Sequence, residues 1–193
     1  MLFLEKLKNK NIILASKSPR RQQMLKELNI PFVIETREIA ENYSENLKGK
    51  EITDYLAELK ASVFTNLKEN DILITSDTIV WFKGKPLEKP KNLQEAKQML
   101  KQLSNNKHKV ITSICLKSKN KQVVFNDVTK VIFNKLTDDE INYYVEKYQP
   151  LDKAGSYGIQ EWIGLIAIKR IKGSYHNIVG FPVHKFYKEI LKF

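Results

Sequence analysis

Three observations predict an α/β fold. Apolar runs of strand length, Ile12–Ala15 and Asp71–Ser76, alternate with segments whose apolar residues recur at helical spacing. The clearest such segment is 51–67, where Ile52, Leu56, Leu59, Val63 and Leu67 share one helix face. The 193 residues, 42% hydrophobic and 28% charged, are enough for one globular domain with a substantial core.

The elements follow in order. After a mixed apolar and charged stretch at 1–10, strand Ile12–Ala15 leads through Ser16-Lys17 into a helix with Ser18 as N-cap and Pro19 at its first position. Met24, Leu25 and Leu28 form its apolar face, and Asn29 and Pro31 end it. Phe32–Thr36 reads as a strand and Arg37–Lys50 as a polar connection, followed by a helix over 51–67. Asp71–Ser76 is a buried strand with Asp77-Thr78 directly after it, and Ile79–Phe82 turns through Lys83-Gly84-Lys85 as a hairpin. Asn92 and Glu95 start a helix that ends near Leu103. His108–Leu116 and Gln122–Leu136 are strands, and the capping box Thr137–Glu140 opens a helix that runs to Tyr148. Five of the seven glycines fall between Gly155 and Gly180. Within that region Gly164–Ile171 reads as a strand, and Pro182 opens a last helix with Val183, Phe186, Tyr187 and Ile190 buried. There is no repeat and no linker, so 1–193 is read as one domain with 1–10 a short N-terminal extension.

Composition narrows the function. A net charge of +11 suits nucleotides, nucleic acid or phosphorylated metabolites, although a Lys-rich bias would produce the same balance. The single Cys115 lies in an apolar run, forms no intrachain disulfide and fits a reducing, cytoplasmic compartment. No stretch is long and apolar enough to span a bilayer, and 1–10 lacks a signal-peptide core.

Candidate chemistry begins at Arg20 and Arg21. They are two of only four arginines among 33 Lys+Arg, and they sit on the first turn of the first helix. A helix N-terminus attracts anions, and the guanidinium fork matches phosphate. Asp77, between two apolar runs, must be hydrogen-bonded, paired or metal-bound. Lys60 borders the apolar face of its helix and on spacing alone reads as a lysine reaching to solvent. His108, His176 and His184 lack metal-ligand spacing, and no P-loop or G-x-S-x-G is present.

Five motifs then carry a resemblance: Leu14–Arg21 (LASKSPRR), Ser76–Val80 (SDTIV), Leu87–Pro90 (LEKP), Asp152–Gln160 (DKAGSYGIQ) and Gly173–Asn177 (GSYHN). In this order they resemble the Maf family of nucleoside triphosphate pyrophosphatases, also called septum formation inhibitor homologues, and the fourth motif, DKAGSYGIQ, resembles its dTTP/UTP branch. The resemblance implies an inosine-triphosphatase-like mixed sheet flanked by helices, two lobes around a central cleft, and a homodimer. It implies hydrolysis of a nucleoside triphosphate, dTTP and UTP preferred, to the monophosphate and pyrophosphate by metal-assisted attack of water on the α-phosphorus. A role in nucleotide-pool housecleaning or cell-division arrest goes with that activity.

Residue by residue, the resemblance makes Ser16, Arg20, Arg21, Lys60 and Lys89 substrate-binding, which reverses the solvent reading of Lys60. Asp77 becomes the general base, Glu41 and Asp77 the ligands of Mg²⁺ or Mn²⁺, and Arg20, Thr78 and Gln160 the specificity residues. Departures from the family pattern are Lys17, Ala40 and Glu161-Trp162, the last beside the base-recognition loop. The alternatives are a basic nucleic-acid-binding module and a non-catalytic cell-division interaction protein. Nucleic acid is argued against, because no RNP, KH or helix-turn-helix signature occurs and the aromatics follow strand and helix periods. No membrane partner is expected.

Overall fold

A computed structural model describes residues 2–193; Met1, at the start of the N-terminal extension, lies outside the described residues. Seven strands form one mixed sheet in the order β2-β1-β3-β5-β6-β7, with β4 pairing to β3. The chain divides into two compact units: one of Met1–Asp77, Thr112–Asp127 and Gly180–Phe193, the other of Thr78–Ile111 and Val128–Val179.

In the first unit, α1 (Leu2–Leu7) precedes β1 (Asn11–Leu14), α2 (Pro19–Glu27), β2 (Val33–Ile34) and α3 (Lys50–Ser62). The N-terminal extension is therefore a packed helix. Phe3 and Leu7 are buried, and the Phe3 ring lies 4.7 Å from Tyr187 of α8 (Val183–Lys192). Strand β1 pairs in parallel with β2 and with the first half of β3 (Asp71–Phe82), Leu14 standing opposite Ile74. Only Val33–Ile34 of the predicted 32–36 strand is formed, and both residues are exposed. Ser18 and Pro19 occupy the N-cap and first position of α2 as their chemistry dictates.

Helix α3 stops at Ser62, short of the predicted Leu67. Cations from elsewhere take its last carbonyls: Lys117 Nζ donates to Ala61 O at 2.9 Å and to Phe64 O at 3.1 Å. Arg37 Nη1 donates to Val63 O at 2.6 Å, with its guanidinium 4.4 Å from the Phe64 ring centroid. These bonds satisfy orphan carbonyls without a further turn. Val63 and Leu67 still pack against the Ile13–Ala57–Leu73 cluster, now from a loop.

The second unit holds the latter half of β3, β4 (Lys85–Leu87), α4 (Leu93–Leu103), α5 (Asp138–Tyr148), α6 (Trp162–Ala167), β7 (Ile168–Lys172) and α7 (Tyr175–Val179). Parts of β5 (Lys107–Lys117) and β6 (Gln122–Phe133) belong to it. Both predicted caps are present: Asn92 accepts from Glu95 N–H at 2.9 Å, and Thr137 and Glu140 cap each other reciprocally. The expected strand at 164–171 is corrected, because Trp162–Ala167 is helical and only Ile168–Lys172 is extended. Ile163 and Ala167 are buried while Leu165 is 82% exposed, a helical period inside a uniformly apolar run. Gly164 allows it, since a Cβ there would stand 1.9 Å from Ile159 O.

Candidate active site

Sequence placed Asp77 after a strand; the structure places it within one. Strand β3 runs unbroken from Asp71 to Phe82 because its partner changes. Its parallel pairing with β1 ends at Ile74, and its antiparallel pairing with β4 begins at Val80. Asp77 lies between these registers, just past the carboxyl end of β1, where open α/β sheets carry ligands.

Around Asp77 the first unit gathers most of the predicted residues. Lys60, near the end of α3, places Nζ 2.7 Å from Asp77 Oδ1 and 2.8 Å from Glu41 Oε2. The Asp77 and Lys60 side chains are 10% and 19% exposed, that of Glu41 52%, so this ion triad is buried on one side and open on the other. The spacing that suggested a lysine reaching to solvent instead brings Lys60 against a strand carboxylate.

The turn after β1 is built on Ser16, whose buried Oγ accepts from Ser18 N–H at 3.2 Å and from Arg21 Nη1 at 3.4 Å. Arg21 donates further to Ser76 O at 2.9 Å through Nη1 and to Gly180 O at 3.0 Å through Nε. Burial lowers its pKa to about 10, with Asp77 opposing that shift and Arg20 reinforcing it, so the group stays cationic at neutral pH. Arg21 thus ties the turn to β3 and to the segment before α8. Arg20, partly exposed on the first turn of α2, sits at the positive end of the helix dipole.

Thr78, Lys89 and Gln160 belong to the second unit. Thr78 is half-buried on β3, while Lys89 and Gln160 are exposed. Here three motifs meet. Gly155 N–H donates to Glu88 O at 3.1 Å, joining the glycine loop to the LEKP segment. Gly155 itself has φ +67°, and a Cβ there would stand 2.8 Å from Val80 Cγ2 of the SDTIV strand, so only glycine fits.

Several residues that hold this loop were not singled out for the role by sequence. Tyr144 accepts from Gly158 N–H at 3.0 Å and donates its own hydroxyl to Glu161. Burial and the Glu161 carboxylate both push the Tyr144 pKa up, so it remains a neutral donor. Lys153 Nζ pairs with Glu161 at 3.0 Å and with Asp152 at 2.6 Å. The departure at Glu161 is therefore a tether inside the loop. Tyr157, within the same motif, is hydrogen-bonded at 2.8 Å to Nε2 of buried His108, whose pKa burial lowers to about 4. Asn177 of the GSYHN motif is fully buried and donates to Val110 O at 3.0 Å and to Thr129 Oγ1 at 2.9 Å, a bracing role. Lys153, Tyr157 and Asn177 lie inside motifs singled out by sequence but without this role, Glu161 stands out as a departure from the family pattern, and Tyr144 carries no signal.

The fold is α/β, and its Glu41–Lys60–Asp77 ion cluster sits where β3 passes from parallel to antiparallel pairing. A HAM1 protein from Coxiella burnetii aligns over 95% of this chain and 100% of its own, with a TM-score of 0.52 at 16% identity, a likeness of fold. The chain belongs to the Maf family: the family model described as Maf-like protein matches residues 11–193. Among its relatives, a dTTP/UTP pyrophosphatase from Christiangramia forsetii is 57% identical over 98% of this chain and 97% of its own. Another dTTP/UTP pyrophosphatase, from Flavobacterium psychrophilum, is 53% identical over 98% of both chains. Among the described residues no helix is long and apolar enough to cross a membrane.

Proposed function

We propose that this chain hydrolyses nucleoside triphosphates, dTTP and UTP in preference, to the monophosphate and pyrophosphate. The observation that carries the reading is the Glu41–Lys60–Asp77 triad on a scaffold whose relatives, at 53% and 57% identity, are named dTTP/UTP pyrophosphatase. Asp77 accepts a proton from water as the water oxygen bonds to the α-phosphorus. The bond from that phosphorus to the α,β-bridging oxygen breaks, and pyrophosphate leaves with the electron pair. Lys60 holds the Asp77 carboxylate in position through their ion pair and offers its charge to the phosphates. Arg20 binds phosphate with its planar fork, and Arg21 holds Ser16 and the helix N-terminus in place for the same anion. Lys89 adds a further phosphate contact. Thr78 and Gln160 read the base, Gln160 complementing a carbonyl and the N3–H of a pyrimidine dione.

The donor set fits a divalent cation. Glu41 and Asp77 each bring an oxygen within 3 Å of the Lys60 ammonium, so the two carboxylates lie side by side and could hold a cation next to that ammonium. Hard cations in such enzymes take one or two carboxylates and complete their shell with phosphate and water. Among the described residues no cluster of three His, Cys, Asp or Glu forms, which leaves the remaining positions to substrate. Mg²⁺ or Mn²⁺ held there would neutralise phosphate charge and polarise the reacting oxygen atoms. A homodimer in the cytoplasm completes the proposal, with nucleotide-pool housecleaning or cell-division arrest as its role.

The test is pyrophosphate release from dTTP, UTP, CTP, ATP and GTP with and without Mg²⁺. The first two should lead in kcat/KM by roughly ten-fold or more. A purine triphosphate in first place contradicts the assignment.

A further inference from the structure

One face of the second unit carries an open groove of about 520 Å³ with no part in the chemistry above. Its lining includes Lys83, Lys107, Lys109, Lys130, Arg170 and Lys172, and no acidic residue. None of these six cations is ion-paired among the described residues, in a chain whose other lysines form many such pairs. The pattern follows from strand alternation. On β5, Lys107 and Lys109 are exposed while His108 and Val110 are buried; on β6, Lys130 is exposed and Ile132 half-buried while Val131 and Phe133 are buried. Antiparallel register sets Lys130 directly opposite Lys172, and Ile132 opposite Arg170.

A solvent-facing sheet is ordinarily polar, and lysines on an edge strand discourage aggregation. Edge protection accounts for β7, which ends the strand order, but not for the three lysines on β5 and β6. Nor does it account for like charges facing across a ladder, a destabilising arrangement where opposite charges would serve solubility better. The arrangement fits a polyanion as the missing counter-charge. Trp81 also lines the groove, half-buried on β3, and is an aromatic plane among cations.

We infer that this groove binds a short stretch of single-stranded nucleic acid, its phosphates on the cations and a base against Trp81. A cationic groove with an aromatic platform is how single strands are held without sequence preference. Strands β3, β5, β6 and β7 are consecutive in the sheet, so the groove spans about 14 Å at the usual strand spacing. A stacked strand with one charge per about 3.4 Å places about four phosphates along that length. A free triphosphate covers only part of it. No linear motif announces this surface, because its residues come from four separate segments.

The test is fluorescence anisotropy with a labelled oligothymidylate of about twelve nucleotides, titrated with the full chain from about 50 to about 250 mM salt. The expected slope of log K against log salt is about −3. Lys130→Glu with Arg170→Glu should weaken binding ten-fold or more at low salt and flatten the slope by about 1.4, while Lys130→Arg should bind as wild type. Trp81→Ala should weaken binding roughly ten-fold with the slope unchanged, and should abolish quenching of tryptophan fluorescence by the oligomer. Unchanged thermal melting of each variant secures the comparison. Absence of binding at low salt, binding indifferent to charge reversal, or equal affinity for a duplex or for free dTTP would each overturn the inference. So would a change of oligomeric state as the sole effect of charge reversal, which would make the face a contact between copies.

Discussion

The buried pair His108–Tyr157 makes stability depend on acid in a way that can be calculated. His108 is 3% exposed, stacked edge-on against Phe133 and Tyr157, and burial lowers its pKa from 6.5 to about 4. In the unfolded chain the ring titrates near 6.5, so the unfolded state binds the extra proton first. The contribution of the neutral ring is complete above pH about 6.5 and is lost as pH falls toward 4. At pH about 4.5 linkage gives a loss of roughly 2–3 kcal/mol relative to pH about 7.5. Glutamine at this position can still hydrogen-bond to Tyr157 but cannot take a charge. Urea unfolding of wild type and His108→Gln at the two pH values isolates the effect, since other titrating groups cancel in the difference. Whatever His108→Gln costs at neutral pH, the variant should gain roughly 2–3 kcal/mol on wild type at the acid pH. A difference that is the same at both pH values would show that the ring protonates freely, and the anchoring of the loop through a neutral His108 would be wrong.

Asp77→Asn should lower turnover roughly 10²–10⁴-fold with nucleotide binding largely kept, because the amide matches the carboxylate in size but cannot take a proton; steady-state kinetics and equilibrium binding check it. Near-normal turnover by that variant removes Asp77 from the role of base. Arg20→Lys should lower kcat/KM even at low salt, since lysine keeps the charge and loses the two-pronged contact; parity with wild type would make the residue a point charge. Gln160→Ala should narrow the preference for dTTP and UTP over CTP and GTP in a kcat/KM panel, whereas an equal loss for all four would make the glutamine a structural part of its loop.

How much of this was legible in the sequence depended on whether the deciding contact was local. The turn from β1 into α2 and the caps at Asn92 and Thr137 were readable because Ser, Pro, Asn and Thr act on backbone within a few residues. The unbroken course of β3 through Asp77 was not, since it depends on a change of partner from β1 to β4. The early end of α3 was set by Arg37 and Lys117, each well removed in sequence from the carbonyls it takes. In 163–168 the residues are apolar throughout, so strand and helix periods could not be told apart until Ile159 and Gly164 were seen in contact. At the candidate site the resemblance supplied Lys60 and Glu41, and no spacing rule predicts that Lys60 pairs with both Glu41 and Asp77. Tyr144 had no signal at all, because its hydroxyl meets a loop more than ten residues away.

The central claim is that water attacks the α-phosphorus of dTTP under the control of Asp77. Hydrolysis of dTTP in water labelled with heavy oxygen, followed by mass spectrometry of both products, tests it most directly. The label should appear in the thymidine monophosphate and not in the pyrophosphate. Label in pyrophosphate, or orthophosphate as the released product, would contradict the mechanism.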